Sequence, residues 1–119
     1  MQEGGAQYAV TQLFYDNAVY FRFVERARAA GITIPIIPGI KPLTKASQLT
    51  TVPKTFSVDI PSELTEAVAS CRDDEAVRQV GVEWCINQCR ELMRFGVPRL
   101  HFYVLGATPS VRDVAKEIF

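Results

Sequence analysis

The sequence predicts an α/β fold in which parallel strands alternate with helices. Three observations indicate it: three short segments rich in β-branched and aromatic residues, amphipathic helical stretches between them, and no hairpin signal along the chain. Strands that are separated by helices pair in parallel, and the crossover between the first two is expected to be right-handed. The 119 residues provide room for one modest domain, residues 1–119.

The N-terminal third of the chain predicts the first strand and helix. Tyr8–Phe14 has strand composition and is apolar on both faces except at Thr11 and Gln12, as expected for a sheet covered on both sides. Asp16 or Asn17 is a suitable N-cap for the helix that follows. A strand that leads directly into a capped helix is the first half of a βαβ unit.

A glycine and a second apolar segment complete this unit. Gly31 stands at a C′ position, where a left-handed backbone conformation ends many helices. Ile34–Ile37 is predicted as the second buried strand, and Pro38-Gly39 is predicted to end it. The two strands therefore flank one helix and should lie side by side.

The longest predicted helix follows a region with a weaker pattern. Pro53 is expected to interrupt any short helix after the second strand, and Pro61–Glu63 is typical of a helix start. A helix from Asp73 to about Phe95 has acidic residues in its first turn, which suits the positive end of the helix dipole. Gly96 is predicted to end it.

The C-terminal segment predicts a third strand, Leu100–Leu105, and a closing helix, Ser110–Phe119. Three parallel strands leave both outer strands as exposed edges, which is unfavourable for an independent domain. Gly4-Gly5-Ala6 also resembles the end of a preceding helix. We therefore expect the chain to be one piece of a larger assembly of strands and helices, and to be marginally stable or self-associating when isolated.

Composition and charge narrow the classes of partner. Thirteen basic and thirteen acidic residues balance, which argues against nucleic acid or an anionic membrane as partner because each usually requires a basic face. The N-terminus lacks the features of a signal peptide, and no apolar run reaches the length of a membrane span. Three cysteines without the spacing of a zinc module predict a reduced, cytoplasmic protein with no metal site.

Candidate functional residues lie where predicted strands end, because parallel α/β folds bind ligands at that edge. Gln12 is the most informative, since its amide offers a donor and an acceptor that suit the edge of a pterin or pyrimidine. The alternative is that Gln12 bonds a neighbouring backbone group, and the sequence leaves both interpretations open. His101 lies near the start of its strand, so a packing or interface role is favoured over acid–base catalysis.

Other conspicuous residues are expected to be structural. Cys85 and Cys89 share one helix face and lack further ligands, so they predict buried small apolar groups and not a metal site. Trp84 lies at helical spacing with them and is expected in the core. Asp73–Glu75 is interpreted as a helix start and not as a carboxylate site.

Eight short segments form a recognisable set over nearly the whole chain. They are Thr11–Asn17, Tyr20–Phe23, Ala29–Ile32, Pro35–Ile40, Gly81–Trp84, Gln88-Cys89, Gly96–Pro98 and His101–Tyr103. In this order they resemble the signatures of methylenetetrahydrofolate reductases. The resemblance implies a partial (β/α)8 TIM barrel, of which this chain supplies the last three βα units.

The resemblance also implies a reaction and its ligands. The family reduces 5,10-methylenetetrahydrofolate to 5-methyltetrahydrofolate, and FAD carries hydride from NAD(P)H to the folate. By this resemblance Gln12 and Gln48 are substrate-binding residues, whereas no residue of the chain is assigned as catalytic. The family's general acid and most of its FAD contacts are expected in earlier strands, and a lysine that helps to hold FAD is expected at or before Met1.

One departure from the family pattern is visible, and rival interpretations remain. Many members carry an arginine after the last strand that reaches the folate, and Ala107 occupies that position here. The chain alone is expected to be inactive. The alternatives are a partial-barrel binding or assembly module that pairs with another chain, an unrelated three-stranded α/β domain, or a truncated reading frame.

Overall fold

The computed structural model describes residues 8–56, 58–97, 99–103 and 108–119. The elements in chain order are β1 (Ala9–Leu13), α1 (Asn17–Ala29), β2 (Ile36–Ile40), α2 (Gln48–Phe56), α3 (Ser62–Ala69), α4 (Asp74–Phe95), β3 (His101–Phe102) and α5 (Thr108–Ile118). The predictions for Gly4-Gly5-Ala6, for the end of the third strand at Leu105 and for Ala107 fall outside the described residues.

The sheet confirms the predicted topology. Its three strands pair in parallel and in chain order, with β2 in the centre. Ala9 lies opposite Ile36, and Gly39 lies opposite His101. All five residues of β2 are buried, because this strand has a neighbour on each side and packing on each face.

The second strand does not end where the sequence analysis placed its end. The expectation that Pro38-Gly39 terminates it is wrong, since β2 runs from Ile36 to Ile40 through both residues. A proline in a central strand cannot donate to the ladder, so it requires a local irregularity in its partner. Thr11 and Gln12 of β1 provide it: they lie opposite Pro38, where the β1–β2 register shifts as a β-bulge.

The ends of the helices follow the sequence signals. Asp16 and Asp73 accept hydrogen bonds from backbone N–H groups in the first turns of α1 and α4, at 3.0 and 2.9 Å. Gly31 and Gly96 have φ angles of 87° and 98° and therefore adopt the left-handed conformation that ends each helix. These short-range signals were sufficient to bound both helices.

Two helix predictions need correction. Pro53 lies inside α2 and does not interrupt it. Its missing N–H removes one helical hydrogen bond, but Leu49, Val52 and Phe56 hold the helix because they pack into a hydrophobic cluster. The closing helix α5 begins at Thr108, two residues before the predicted start.

Hydrophobic packing falls into two clusters. One lies where β2 meets α1, α4 and α5 and includes Ile36, Ile40 and Leu92. The other joins the end of β1 to α2, α3 and α4 and includes Leu13 and Leu64. The second cluster places α2 and α3 beside the carboxyl ends of the strands, where ligands of parallel α/β proteins bind.

Candidate functional site

Polar side chains collect at the carboxyl ends of all three strands. Thr11 and Gln12 lie near the end of β1, Lys41 directly follows β2, and Tyr103 directly follows β3. The ends are tied together, because the backbone N–H of Tyr103 donates to the carbonyl of Ile40 at 2.8 Å. Parallel pairing therefore brings residues that are far apart in the sequence to one edge of the sheet.

Two of these side chains fix the strand ends and are not free for a ligand. The hydroxyl of Tyr103 donates to the carbonyl of Thr11 at 2.9 Å, and the hydroxyl oxygen of Thr11 accepts from the backbone N–H of Gly39 at 2.9 Å. A Cβ at Gly39 would lie 2.6 Å from the Tyr103 ring. Gly39 therefore permits a close approach of β2 to the tyrosine that bridges the outer strands.

Gln12 is exposed at this edge. Its Nε2 group donates to the backbone carbonyl of Phe56, at the end of α2, over a long 3.4 Å. Within the described residues, this single long contact holds the amide weakly, and the Oε1 atom has no hydrogen-bond donor. The structure thus shows the backbone contact that the sequence analysis left open, and it also leaves most of the hydrogen-bonding capacity of the amide free.

Gln48 has a different environment at the other end of α2. Its Oε1 atom accepts from the backbone N–H groups of Thr44 and Lys45, at 2.7 and 3.3 Å. This side chain therefore stabilises the turn before α2, while its Nε2 group keeps two donors. Gln12 meets α2 at Phe56, eight residues beyond Gln48, so the two amides lie near opposite ends of a helix about 12 Å long.

A shallow groove adjoins Gln12 on the open side of β1. Its volume is about 470 Å³, which is in the range of small-molecule sites. Its wall includes Val10, Val19 and Phe23, whose exposed fractions are 38, 43 and 46%. The groove is therefore mainly apolar, and Gln12 is one of its polar lining residues.

Helix α4 holds the segment that follows β1. The indole N–H of Trp84 donates to the carbonyl of Tyr15 at 2.8 Å, and Nε2 of Gln88 donates to the carbonyl of Phe14 at 2.9 Å. In return, Nδ2 of Asn17 donates to the carbonyl of Gln88 at 3.0 Å. These buried bonds satisfy the backbone just beyond Gln12 and orient the end of β1. Trp84 is half-buried at this position.

The other conspicuous residues have structural surroundings. Cys85 and Cys89 are buried free thiols, as predicted. The hydrogen bond between them, and then burial, raise the pKa of the Cys85 thiol, which keeps it protonated and a poor nucleophile. His101 is exposed and its ring lies edge-on to Tyr103 at 4.7 Å. In the described residues, no group of three or more His, Cys, Asp or Glu side chains is arranged to hold a metal ion.

Sequence analysis missed Lys41. Its side chain is only 4% exposed although it carries a charge, and burial lowers its pKa below the ordinary value. The signal was present in the sequence, because this lysine directly follows the apolar run that forms β2.

The residues present do not build a flavin site. A diphosphate needs a cradle of free backbone N–H groups or several cations. Among the described strand ends, Lys41 is the one buried cation, and Thr11 and Tyr103 are engaged in hydrogen bonds with the backbone. These residues therefore provide no diphosphate contact through which FAD chemistry could be described.

No helix in the described residues is long and apolar enough to cross a membrane.

The arrangement defines a parallel α/β segment with polar side chains at the carboxyl edge of its sheet. A sequence profile described as methylenetetrahydrofolate reductase matches residues 2–118. The chain belongs to the methylenetetrahydrofolate reductase family.

Individual relatives agree with this assignment. Methylenetetrahydrofolate reductase 1 of Schizosaccharomyces pombe is 37% identical over 96% of this chain and 19% of the relative. Methylenetetrahydrofolate reductase (NADH) 1 of Zea mays is 38% identical over 91% of the chain and 18% of the relative. The 5,10-methylenetetrahydrofolate reductase of Escherichia coli is 36% identical over 87% of the chain and 36% of the relative. The chain thus spans about a fifth of the first two proteins and about a third of the last.

Proposed function

We propose that this chain is the part of a flavin-dependent methylenetetrahydrofolate reductase that orients the folate. In this proposal it forms the last three βα units of a (β/α)8 barrel. Other parts of the complete protein bind FAD and NAD(P)H and supply the proton donor. The proposal includes a reducing, cytoplasmic setting, which the three free thiols favour.

The position of Gln12 carries the proposal. Its amide is exposed at the carboxyl edge, beside an apolar groove, and one 3.4 Å contact holds it. A pterin presents adjacent donors and acceptors on a flat apolar ring, so it matches an amide above apolar walls. The β-bulge supports this role, because bulges turn side chains at the edges of sheets near binding sites.

Gln48 supplies a second contact in this proposal. Its oxygen is engaged by the turn before α2, so its contribution to the folate comes from the two N–H donors of its amide. A ligand that meets both glutamines extends along α2 from one end to the other. An elongated folate satisfies this requirement better than a compact ligand does.

The test uses the complete protein that carries this chain and follows its two half-reactions separately. Gln12→Ala should weaken folate reduction by about tenfold to a hundredfold, because hydrogen bonds to a buried polar ligand contribute about 1–3 kcal/mol. Flavin reduction by NAD(P)H should be almost unchanged. Gln79→Ala is the matched control, since Gln79 is an exposed glutamine on α4 that bonds only to Glu83 in the described residues.

The same assay separates the two atoms of the Gln48 amide. Gln48→Glu retains the oxygen that accepts from Thr44 and Lys45 but loses both donors, so it should weaken folate use and keep the melting temperature. Gln48→Ala should reduce both. If Gln12→Ala leaves folate reduction intact, or slows both half-reactions equally, Gln12 is structural and the proposed function loses its main support.

A second candidate function is a partial-barrel assembly module. The groove beside β1 favours it, because exposed Val10, Val19 and Phe23 adjoin the edge of that strand that has no partner strand among the described residues. In this interpretation the groove is covered by strands and helices that another chain supplies. The half-reaction assay also distinguishes this module from the enzyme, because a module without folate contacts predicts no selective effect of Gln12→Ala.

A further inference from the structure

Lys41 is a buried cation without a matching anion in the described part of the chain. Its Nζ atom makes one hydrogen bond, a 3.4 Å contact with the carbonyl of the adjacent Pro42. The two ion pairs of the described residues join Arg78 to Asp113 and Arg90 to Glu117, and neither involves Lys41. A buried ammonium that lacks a carboxylate is unfavourable for folding. The stability of the fold therefore does not explain why a lysine occupies this buried position.

The position of this lysine matches a ligand site. Side chains alternate along a strand, so Lys41 follows Ile37 and Gly39 onto the face opposite Ile36 and Ile40. Pairing of β2 with β3 continues to this point, because the N–H of Tyr103 bonds to the carbonyl of the preceding residue, Ile40. The Tyr103 ring contacts the same face at Gly39.

The surroundings of Lys41 also indicate which kind of chemical group would bind its ammonium. An ammonium has three donors and no acceptor, and one long contact with a neutral carbonyl leaves most of this capacity unused. A desolvated cation interacts most strongly with an anionic oxygen, since charge-assisted hydrogen bonds are about twice as strong as neutral ones. The flexible four-carbon stem allows the ammonium to reach beyond the strand end.

We propose that Lys41 binds an anionic oxygen group, a carboxylate or a phosphate, of a ligand held at the carboxyl edge of the sheet. This inference rests on the proposed function, which places the folate at the carboxyl edge of the sheet. It adds a charge contact on the central strand to the amide contacts of Gln12 and Gln48. In a folate, the group of this kind is the carboxylate of the glutamyl tail.

The experiment measures ligand affinity by calorimetry in the complete protein, with Lys41→Met and Lys41→Arg compared to wild type. Three probes separate the sources of the anion: tetrahydrofolate, a tetrahydropterin without the glutamyl tail, and inorganic phosphate. Lys54→Met is the matched control, because it removes one exposed lysine of α2 and changes the net charge equally. Melting temperatures are measured for every variant.

The expected result is a loss of affinity without a loss of stability. Lys41→Met should raise the Kd for tetrahydrofolate about 10-fold to 100-fold, since a charged hydrogen bond is lost. The tail-free pterin should bind all variants equally, and the melting temperature of Lys41→Met should stay constant or rise. Weaker binding of phosphate alone would support the same site with phosphate as its anion. Lys41→Arg keeps the charge and should retain part of the affinity.

Several outcomes would overturn the inference. The first is an unchanged affinity of Lys41→Met for both anionic probes. The second is that Lys41→Met fails to fold, or that it melts at a lower temperature and also binds all three probes more weakly. The outcomes remain separate from those of the proposed function. If wild type binds phosphate through Lys41 but no tetrahydrofolate, the anion site stands and the folate proposal fails. If tetrahydrofolate and phosphate each bind wild type and Lys41→Met equally well, the anion site fails and the folate proposal stands.

Discussion

The close contact between Gly81 and the segment after β2 predicts whether Gly81→Ala raises or lowers the stability of the chain. Gly81 is buried in the middle of α4, where glycine normally costs helix stability. Helix propensity alone predicts that Gly81→Ala stabilises the chain by about 1 kcal/mol. The surroundings predict the opposite, because the added Cβ would overlap the carbonyl oxygen of Leu43 and lie 2.7 Å from its carbonyl carbon.

The magnitude follows from what has to move. Ordinary carbon–carbon contacts are about 3.5–4.0 Å. Because the overlap with the Leu43 oxygen is deeper than that with its carbonyl carbon, α4 or the segment around Leu43 must shift by roughly 1.5 Å. Overpacking typically costs about 1–3 kcal/mol, and a backbone neighbour places this site at the upper end. After the gain in propensity, the net loss is about 2 kcal/mol. At about 4 °C per kcal/mol for a 119-residue chain, the melting temperature should fall by about 8 °C.

The assay is thermal unfolding followed by circular dichroism at the helix band. Gly31→Ala is the control, because no atom lies within 4 Å of its added Cβ and only the left-handed backbone at 87° is strained. The control should lose about 1 kcal/mol. An unchanged or higher melting temperature for Gly81→Ala would refute the close approach of α4 to Leu43, and with it the placement of the segment that begins at Lys41.

Three further predictions concern the buried tyrosines, the pH dependence of stability, and association. Tyr15 has a buried hydroxyl without a partner in the described residues, whereas the hydroxyl of Tyr20 donates to the carbonyl of Ile36. In denaturant unfolding, Tyr15→Phe should therefore leave the free energy of unfolding unchanged or raise it, and Tyr20→Phe should lower it by about 1 kcal/mol. Burial raises the pKa of both phenols, so the folded state retains protons that the unfolded state loses, and stability should fall as the pH rises above about 10. A pH-independent stability there would contradict this burial. The isolated chain should self-associate through the groove beside β1 and bind apolar dyes. Val19→Lys should reduce both self-association in size-exclusion chromatography and dye binding. A monodisperse wild-type chain that binds no dye would contradict this expectation.

Local sequence signals predicted the parts of the fold that depend on neighbours in the chain. Asp16 as one of two candidate caps, Asp73 as the start of a helix, and Gly31 and Gly96 as helix ends need only the residues of one helix turn. Alternation of strands and helices was sufficient for the parallel order of the sheet. These features lie within a few residues of the signals that specify them.

The failures involve contacts between distant segments. Pro38 indicated a strand end because the local rule cannot see a bulge in the partner strand. Pro53 indicated an interrupted helix because packing of Val52 is not visible in the local pattern. Similarly, Lys41 became conspicuous only when burial removed it from water, and the Gln48 amide oxygen was not known to be engaged by the turn before α2.

Because of the bulge opposite Pro38, the role proposed for Gln12 cannot be transferred to another protein with the Gln12 segment alone. The direction of its side chain depends on a missing N–H group in the neighbouring strand, and on the hydroxyl of Thr11, which binds the N–H of Gly39 beside that gap. A designer who transplants the Gln12 segment into another α/β scaffold must therefore carry Pro38 and Gly39 with it. Without them, we expect the regular ladder to re-form and the amide to turn away from the edge at which we propose that folate binds.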